Sequence, residues 1–115
     1  MSYSRSDRVS GLIQQALSEI LLKGVKDPRL EMATITHVKM TRDLRIARVY
    51  FSSPGGSKKI EAARQGFKSA LGFVKASLGR KLGLRYMPEL EFYYDESFDY
   101  GAHIENLLDS IKTKS

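Results

Sequence analysis

The chain has 115 residues, 42% hydrophobic and 28% charged, with no cysteine and no tryptophan. That length predicts one domain, residues 1–115, able to bury its own core, with only Lys112–Ser115 frayed at the end. The missing thiols exclude a disulfide scaffold, cysteine-based zinc ligation and thiol catalysis. The net charge of +6 and a pI near 9.7 point to a polyanionic partner, most simply nucleic acid, with an anionic membrane surface the weaker option.

The first residues, MSYSRSDR, are polar and contain no apolar run, so no signal peptide is expected. Apolar runs such as Ile20-Leu21-Leu22 are far too short to span a bilayer. A cytoplasmic, reducing location is the resulting expectation.

Residues 6–23 predict a helix, with Ser6 or Asp7 as its cap. Val9, Leu12, Ile13, Ala16, Leu17, Ile20 and Leu21 form its apolar stripe. Gly24 stands where a left-handed terminating residue is expected, and Pro28 forces Asp27 out of the helical region into a turn. Arg5 and Arg8 could touch a polyanion, although isolated surface charges are usually just solvated.

Residues 33–40 are β-branched and alternating, which predicts a strand with one wet face. Ile35 and Val38 fall on opposite parities, so a bulge is expected between them. Thr41-Arg42-Asp43-Leu44 makes a turn into a second strand, Arg45 to Phe51, with Ala47, Val49 and Phe51 inward. Two strands so close predict an antiparallel hairpin. Residues 52–57, rich in serine and glycine around Pro54, form a loop.

The stretch from Lys58 to Arg85 carries the basic excess: eight basic residues against one acid, Glu61, so the rest of the chain is close to neutral. Ile60, Ala63, Phe67, Leu71, Val74, Leu78 and Leu82 recur at spacings of three and four, one face of a helix. Gly66, Gly72 and Gly79 interrupt it, each costing about 1 kcal/mol relative to alanine. Arg64, Lys68, Gly72, Lys75 and Gly79 fall on one strip beside the apolar face. Phe73 lies nearly opposite that face, and a straight helix would leave its ring in water. A kink near Gly72 is therefore expected, turning Phe73 towards the core. A gap in side chains flanked by cations is a surface that a phosphate backbone can approach closely. An ordinary amphipathic helix with a solvated basic face accounts for the same pattern.

A third strand follows from Glu89 to Tyr94, with Leu90, Phe92 and Tyr94 on one face. A last helix is expected over 97–111, with Phe98, Ile104, Leu107, Leu108 and Ile111 as its apolar positions. The predicted fold is α+β: a three-stranded mixed sheet in the order α-β-β-α(kink)α-β plus a C-terminal helix. That is the order of the type II KH domain, although the GxxG loop with which KH domains clamp a nucleic-acid backbone is replaced here by Ala70-Leu71-Gly72.

No catalytic set stands out. His37 and His103 have no ligand-spaced partner, so each reads as a surface or packing residue rather than a metal ligand. Asp95, Glu96 and Asp99 could hold Mg²⁺ near RNA, but acids at that junction also serve the first turn of a helix. Gly55-Gly56-Ser57-Lys58 lacks the spacing of a phosphate loop. A non-enzyme without cofactor or metal is the expectation.

Several short motifs, taken together and in order, resemble the ribosome-binding factor A family from about Arg8 to about Leu108. They are Arg8-Val9, Asp27-Pro28-Arg29, Arg42-Asp43-Leu44, Ala47-Arg48-Val49-Tyr50, Ala70-Leu71-Gly72-Phe73, Leu84-Arg85, Pro88-Glu89-Leu90-Glu91-Phe92 and Asp95-Glu96-Ser97. The resemblance implies a KH-like protein in which an Ala-x-Gly kink, here Ala70 and Gly72, replaces GxxG. It implies binding to the precursor 30S subunit and its 16S rRNA, and promotion of late maturation, including 5′-end processing, above all in the cold. It also implies release helped by a ribosome-associated GTPase. Thr41 stands where the family more often has serine, and the long polar tail of some members is absent.

Arg64, Lys68, Lys75, Arg80, Lys81 and Arg85 would neutralise phosphates. Ala70 and Gly72 would shape the kink, and Arg42 and Arg45 would extend the patch. No aromatic platform lies on the basic helix, and strand packing accounts for the tyrosines. The expected protein is a monomer that binds rRNA by shape. A general KH-like RNA-binding module and a protein-interaction domain with a basic face are the rivals.

Overall fold

A computed structural model describes residues 4–97 of the chain. Helix α1 spans Arg5–Lys23, a 3₁₀ turn Pro28–Leu30, strand β1 Thr34–Met40, strand β2 Ile46–Ser52, helix α2 Ser57–Leu82 and strand β3 Glu89–Tyr94. The sheet order is β1-β2-β3. β1 pairs antiparallel to β2 and β2 parallel to β3, so α2 is the crossover of a parallel pair in a mixed sheet. Both helices pack on one face of that sheet, the α+β arrangement with KH-like element order that the sequence predicts. The helix expected over 97–111, with Asp99 and His103, lies outside the described residues, as does the fraying of the last four.

α1 starts earlier than expected. Its cap is Ser4, whose hydroxyl accepts from the Asp7 amide while the Asp7 carboxylate accepts from the Ser4 amide, a reciprocal capping box. Gly24 closes the helix in a right-handed conformation (φ −118°) rather than the left-handed one, because its amide simply continues the pattern by donating to the Ile20 carbonyl. Ile13, Ala16, Leu17 and Ile20 are buried as their spacing requires; Leu12, expected in the stripe, is half-exposed at its edge. Asp27 is extended, as the residue before proline should be, and its carboxylate accepts from the Arg29 amide to start the 3₁₀ turn.

The bulge in β1 is present. Register shifts between Ile35 and His37, leaving Thr36 without a ladder partner. The Thr36 hydroxyl donates to Asp95 across the sheet at 2.6 Å, and its carbonyl accepts from the Gln14 side-chain Nε2 of α1. Buried Ser10 makes the matching tie at the other end of β1, where its hydroxyl accepts from the Met40 amide at 2.9 Å. These two α1 side chains satisfy edge-strand backbone that the ladder leaves over.

Ala47, Val49 and Phe51 of β2 have no solvent exposure, as expected for the central strand's inward face. Above them lie Ala63, Phe67, Val74 and Leu78 of α2. Phe67 links the layers, its ring 4.5 Å from Phe92 and 5.0 Å from Phe51. Among the described residues no element covers the opposite face of the sheet, which carries His37 and Lys39 of β1, Ile46, Arg48 and Tyr50 of β2, and Glu89, Glu91 and Tyr93 of β3.

α1 and α2 run in opposite directions. Gly24 of α1 meets the Phe73 ring, Glu19 meets Lys81, and Leu12 shares a cleft with Leu82. Gly66 allows the closest approach on α2: a Cβ there would come within 2.9 Å of the buried Leu30 side chain and 3.3 Å of Arg29. At its far end α2 stops at Gly83, whose φ of 59° is left-handed, and the Gly83 amide donates to the Gly79 carbonyl.

Candidate nucleic-acid interface

The kink expected at Gly72 is not there. α2 is one continuous helix through Ala70, Leu71, Gly72 and Phe73. The apolar stripe from Ile60 to Leu82 packs along the same sheet face throughout, so its buried contacts hold the helix together across the exposed glycine. Phe73 accordingly stays about half-exposed (47%). It is not in water on all sides, however. One edge rests 3.4 Å from where a Gly24 Cβ would stand, in a cleft it shares with Glu19, Lys23, Ser77, Arg80 and Lys81. The ring finds cover from α1 without any turn of its own helix.

The residues expected to form the kink are separated. Ala70 is half-buried and packs against the core. Gly72 is exposed, and a Cβ built on it would meet nothing within 4 Å. Gly72 is thus bare backbone that no packing contact among the described residues explains.

The cations fall into three groups. Arg64, Lys68 and Lys75 share the free flank of α2 with Gly72; Arg64 and Lys68 are exposed and Lys75 half-buried. Arg64 lies 3.5 Å from Glu61 one turn back, an exposed pair of the weak kind. Arg80 and Lys81 sit on the other flank, towards α1. The Lys81 ammonium donates to Glu19 at 2.8 Å and holds that carboxyl below the usual carboxylate range. Arg80 reaches the Ser77 hydroxyl at 3.4 Å.

The third group lies at the end of the sheet where β2 and β3 begin. Arg42 and Arg45 project from the hairpin turn, and Arg85 extends from the loop before β3 with its guanidinium 5.5 Å from the Tyr86 ring. The Glu89 amide donates to the Arg45 carbonyl, which brings that loop and the turn to one end. The turn is stiffly built. The Asp43 carboxylate accepts from the Thr41 hydroxyl at 2.7 Å and from the Arg45 amide at 3.1 Å, and both donors hold that carboxyl below its ordinary value. The Thr41 hydroxyl accepts in turn from the Ile46 amide. Leu44 is left-handed at φ 61°, a conformation costing a leucine about 1–3 kcal/mol. Its side chain packs on the core, while Arg42 and Arg45 on either side of it are exposed.

Among the described residues no cluster of histidine, aspartate and glutamate could hold a metal ion. No described helix is long and apolar enough to cross a membrane.

A small α+β domain of KH-like order, with a cationic helix flank in place of a GxxG loop, is the class that this geometry defines. The model of the family described as ribosome-binding factor A matches residues 5–108. The chain is 57% identical over 110 residues to the ribosome-binding factor A of Desulfatibacillum aliphaticivorans, covering 96% of this chain and 89% of that one. A crystal structure of the protein from Thermus thermophilus superposes with a TM-score of 0.68 at 26% identity, covering 77% of this chain and 94% of that one. Coordinates of the Thermus thermophilus protein fitted into a cryo-EM map of a 30S complex give a TM-score of 0.64 at 26% identity, covering 76% and 91%. The chain belongs to the ribosome-binding factor A family.

Proposed function

We propose that this protein is a non-catalytic assembly factor that binds the precursor 30S subunit through its 16S rRNA, with the free flank of α2 as the main contact. The observation that carries the reading is that flank: Arg64, Lys68 and Lys75 aligned along a rigid helix, with the bare backbone of Gly72 among them and open space above it. Aligned cations neutralise successive phosphates, and a missing side chain lets a sugar–phosphate backbone come close. The exposed Arg42, Arg45, Arg80 and Arg85 extend the field. Lys81 and Ala70 have a smaller part, since one is engaged by Glu19 and the other packs inward. Membership of the family, and the 30S complex of the Thermus thermophilus relative, support the subunit as the target. A cytoplasmic monomer that aids late maturation and 5′-end processing of 16S rRNA, matters most in the cold and leaves with the help of a ribosome-associated GTPase is the fuller form of the reading, and it rests on resemblance to the family.

The test is co-sedimentation of the tagged protein with ribosomal particles across a salt series, with and without nuclease. Enrichment on free small subunits, lost with salt, is the expected result. Replacing Arg64, Lys68 and Lys75 together by glutamine should make the slope of log affinity against log salt shallower by about 2 to 3. Even spread over all RNA would reduce the reading to a generic RNA-binding module, and a partner retained after nuclease would replace it with a protein-interaction role.

A further inference from the structure

The uncovered face of the sheet carries an arrangement that the α2 flank does not use. His37, Tyr50 and Tyr93 stand opposite one another on three adjacent strands, in one row across the face. Ring centroids are 6.1 Å apart from His37 to Tyr50 and 5.7 Å from Tyr50 to Tyr93, with interplanar angles of 32° and 31°. Neighbouring rings are thus moderately tilted to one another, neither parallel nor edge to face. His37 is exposed and Tyr93 is 43% exposed. Two residues along each strand, roughly 7 Å away, the next row is Lys39, Arg48 and Glu91. Beyond it lie Ile46 and Glu89, then the outward-pointing Arg45 and Arg42 of the hairpin turn.

The chemistry of this face discriminates between kinds of partner. Among the described residues Ile46 is its only aliphatic side chain, so they supply no apolar centre of the kind a protein interface is built around. Rings beside cations are what unpaired nucleotides require: the rings take bases and the cations take the phosphates between them. Lys39 has no ion pair among the described residues. Among the described residues three acids belong to this parity: Glu89 and Glu91 of β3 and, just past the strand, Asp95, which accepts from the Thr36 hydroxyl of β1. Glu91 accepts from the Tyr93 hydroxyl at 2.8 Å and lies 3.9 Å from Arg48, while Glu89 sits at the margin. The Glu91 bond tethers the Tyr93 hydroxyl and pushes its phenol above the ordinary value. On one side of the aromatic row stand Lys39, Arg48 and the turn arginines, with Glu91 and Glu89 along β3; on the other side lies Asp95, held by Thr36. A strand of RNA with its bases on the rings would run its phosphates past Lys39 and Arg48 towards Arg45.

We propose that the row His37–Tyr50–Tyr93, with Lys39 and Arg48 beside it, is a second RNA-binding surface that stacks unpaired bases of single-stranded RNA. It rests on the RNA-binding reading above and adds a separate face, across the sheet from α2.

The test uses the full chain. Because the sequence has no tryptophan, Tyr93→Trp places a lone indole in the row. Titration with a short oligouridylate, and separately an oligoadenylate, should quench that indole in step with binding. Tyr50→Ala should weaken oligonucleotide binding about tenfold, and Tyr50→Phe, which keeps the ring, should restore it to within about twofold. A thermal melt of each variant separates lost binding from lost folding. An unquenched indole, or Tyr50→Ala binding like the parent, overturns the proposal, whether the face is then empty, covered by the chain's own last residues or occupied by a second copy. If the glutamine variant of Arg64, Lys68 and Lys75 still loses salt-dependent binding in that case, the assembly-factor reading survives; if it loses nothing, both fall.

Discussion

Gly72→Ala separates the straight helix from the kinked one by the sign of a stability change. In the structure Gly72 lies inside an unbroken helix, and a methyl added there touches nothing among the described residues. The added methyl therefore brings only the propensity difference, about 0.8–1.0 kcal/mol in favour of alanine. Unfolding entropy near 2.1 cal/mol/K per residue, taken over 115 residues, gives about 240 cal/mol/K, so the gain should raise Tm by about 4 °C. Thermal unfolding followed by circular dichroism measures it directly. Binding should move the other way. If the bare backbone admits rRNA, a methyl at the point of approach weakens co-sedimentation with small subunits although the protein is more stable, and Gly72→Val weakens it further. A lower Tm for Gly72→Ala would refute the straight helix, because only a conformation that alanine dislikes could make the methyl unfavourable. A higher Tm with unchanged binding would keep the helix and refute the close approach.

Gly66→Ala should have the opposite sign: its Cβ would meet Leu30 at 2.9 Å, and overpacking of about 1–3 kcal/mol outweighs the propensity gain of about 1, which a urea melt will show as a lower midpoint. Asp27 is hydrogen-bonded by the Arg29 side chain and amide, which lower its pKa below the ordinary 3.8. A depressed carboxyl stabilises the fold above the unfolded value and loses that contribution as pH falls through the folded one, so Asp27→Asn should flatten the stability-against-pH curve below about pH 4 and leave its neutral limb parallel to the parent. Lys81→Gln removes the contact with Glu19; it should lower Tm slightly and bring the Glu19 titration, followed by NMR, back up towards 4.5, while the salt slope of subunit binding changes less than with Lys68→Gln.

The strands were legible because their signals are local. Alternation placed Ala47, Val49 and Phe51 inward, and the parity conflict between Ile35 and Val38 marked the bulge that frees Thr36 to reach Asp95. The order β1-β2-β3 was not legible, since it depends on where α2 delivers β3. The kink was misread for a related reason. Glycine at 72 and phenylalanine at 73 conflict with a straight helix only while the helix is considered alone. α1 resolves the conflict from outside, by laying Gly24 against the Phe73 ring, and nothing within the Lys58–Arg85 stretch encodes that partner. The tyrosines failed differently. Alternation already put Tyr50 with Arg48, and Tyr93 with Glu91, on the outer parity, yet only strand register shows that the two rings and His37 share a row.

The same separation between pattern and partner governs the cations. On a helical projection Lys81 and Lys68 are equal contributors to the basic stretch. In the folded chain Lys81 answers Glu19 of α1, so part of the charge counted from sequence holds the two helices together. Arg64 differs again: its partner Glu61 sits on its own helix, 3.5 Å away and exposed, and an exposed pair of that kind is worth at most about 1 kcal/mol. A phosphate can displace Glu61 at little cost. Lys81 could leave Glu19 only by giving up a contact between helices. The part of the excess open to a polyanion without loss of a helix–helix contact is therefore the flank of Arg64, Lys68 and Lys75, together with the exposed Lys58 and Lys59 at the start of α2 and the outward arginines.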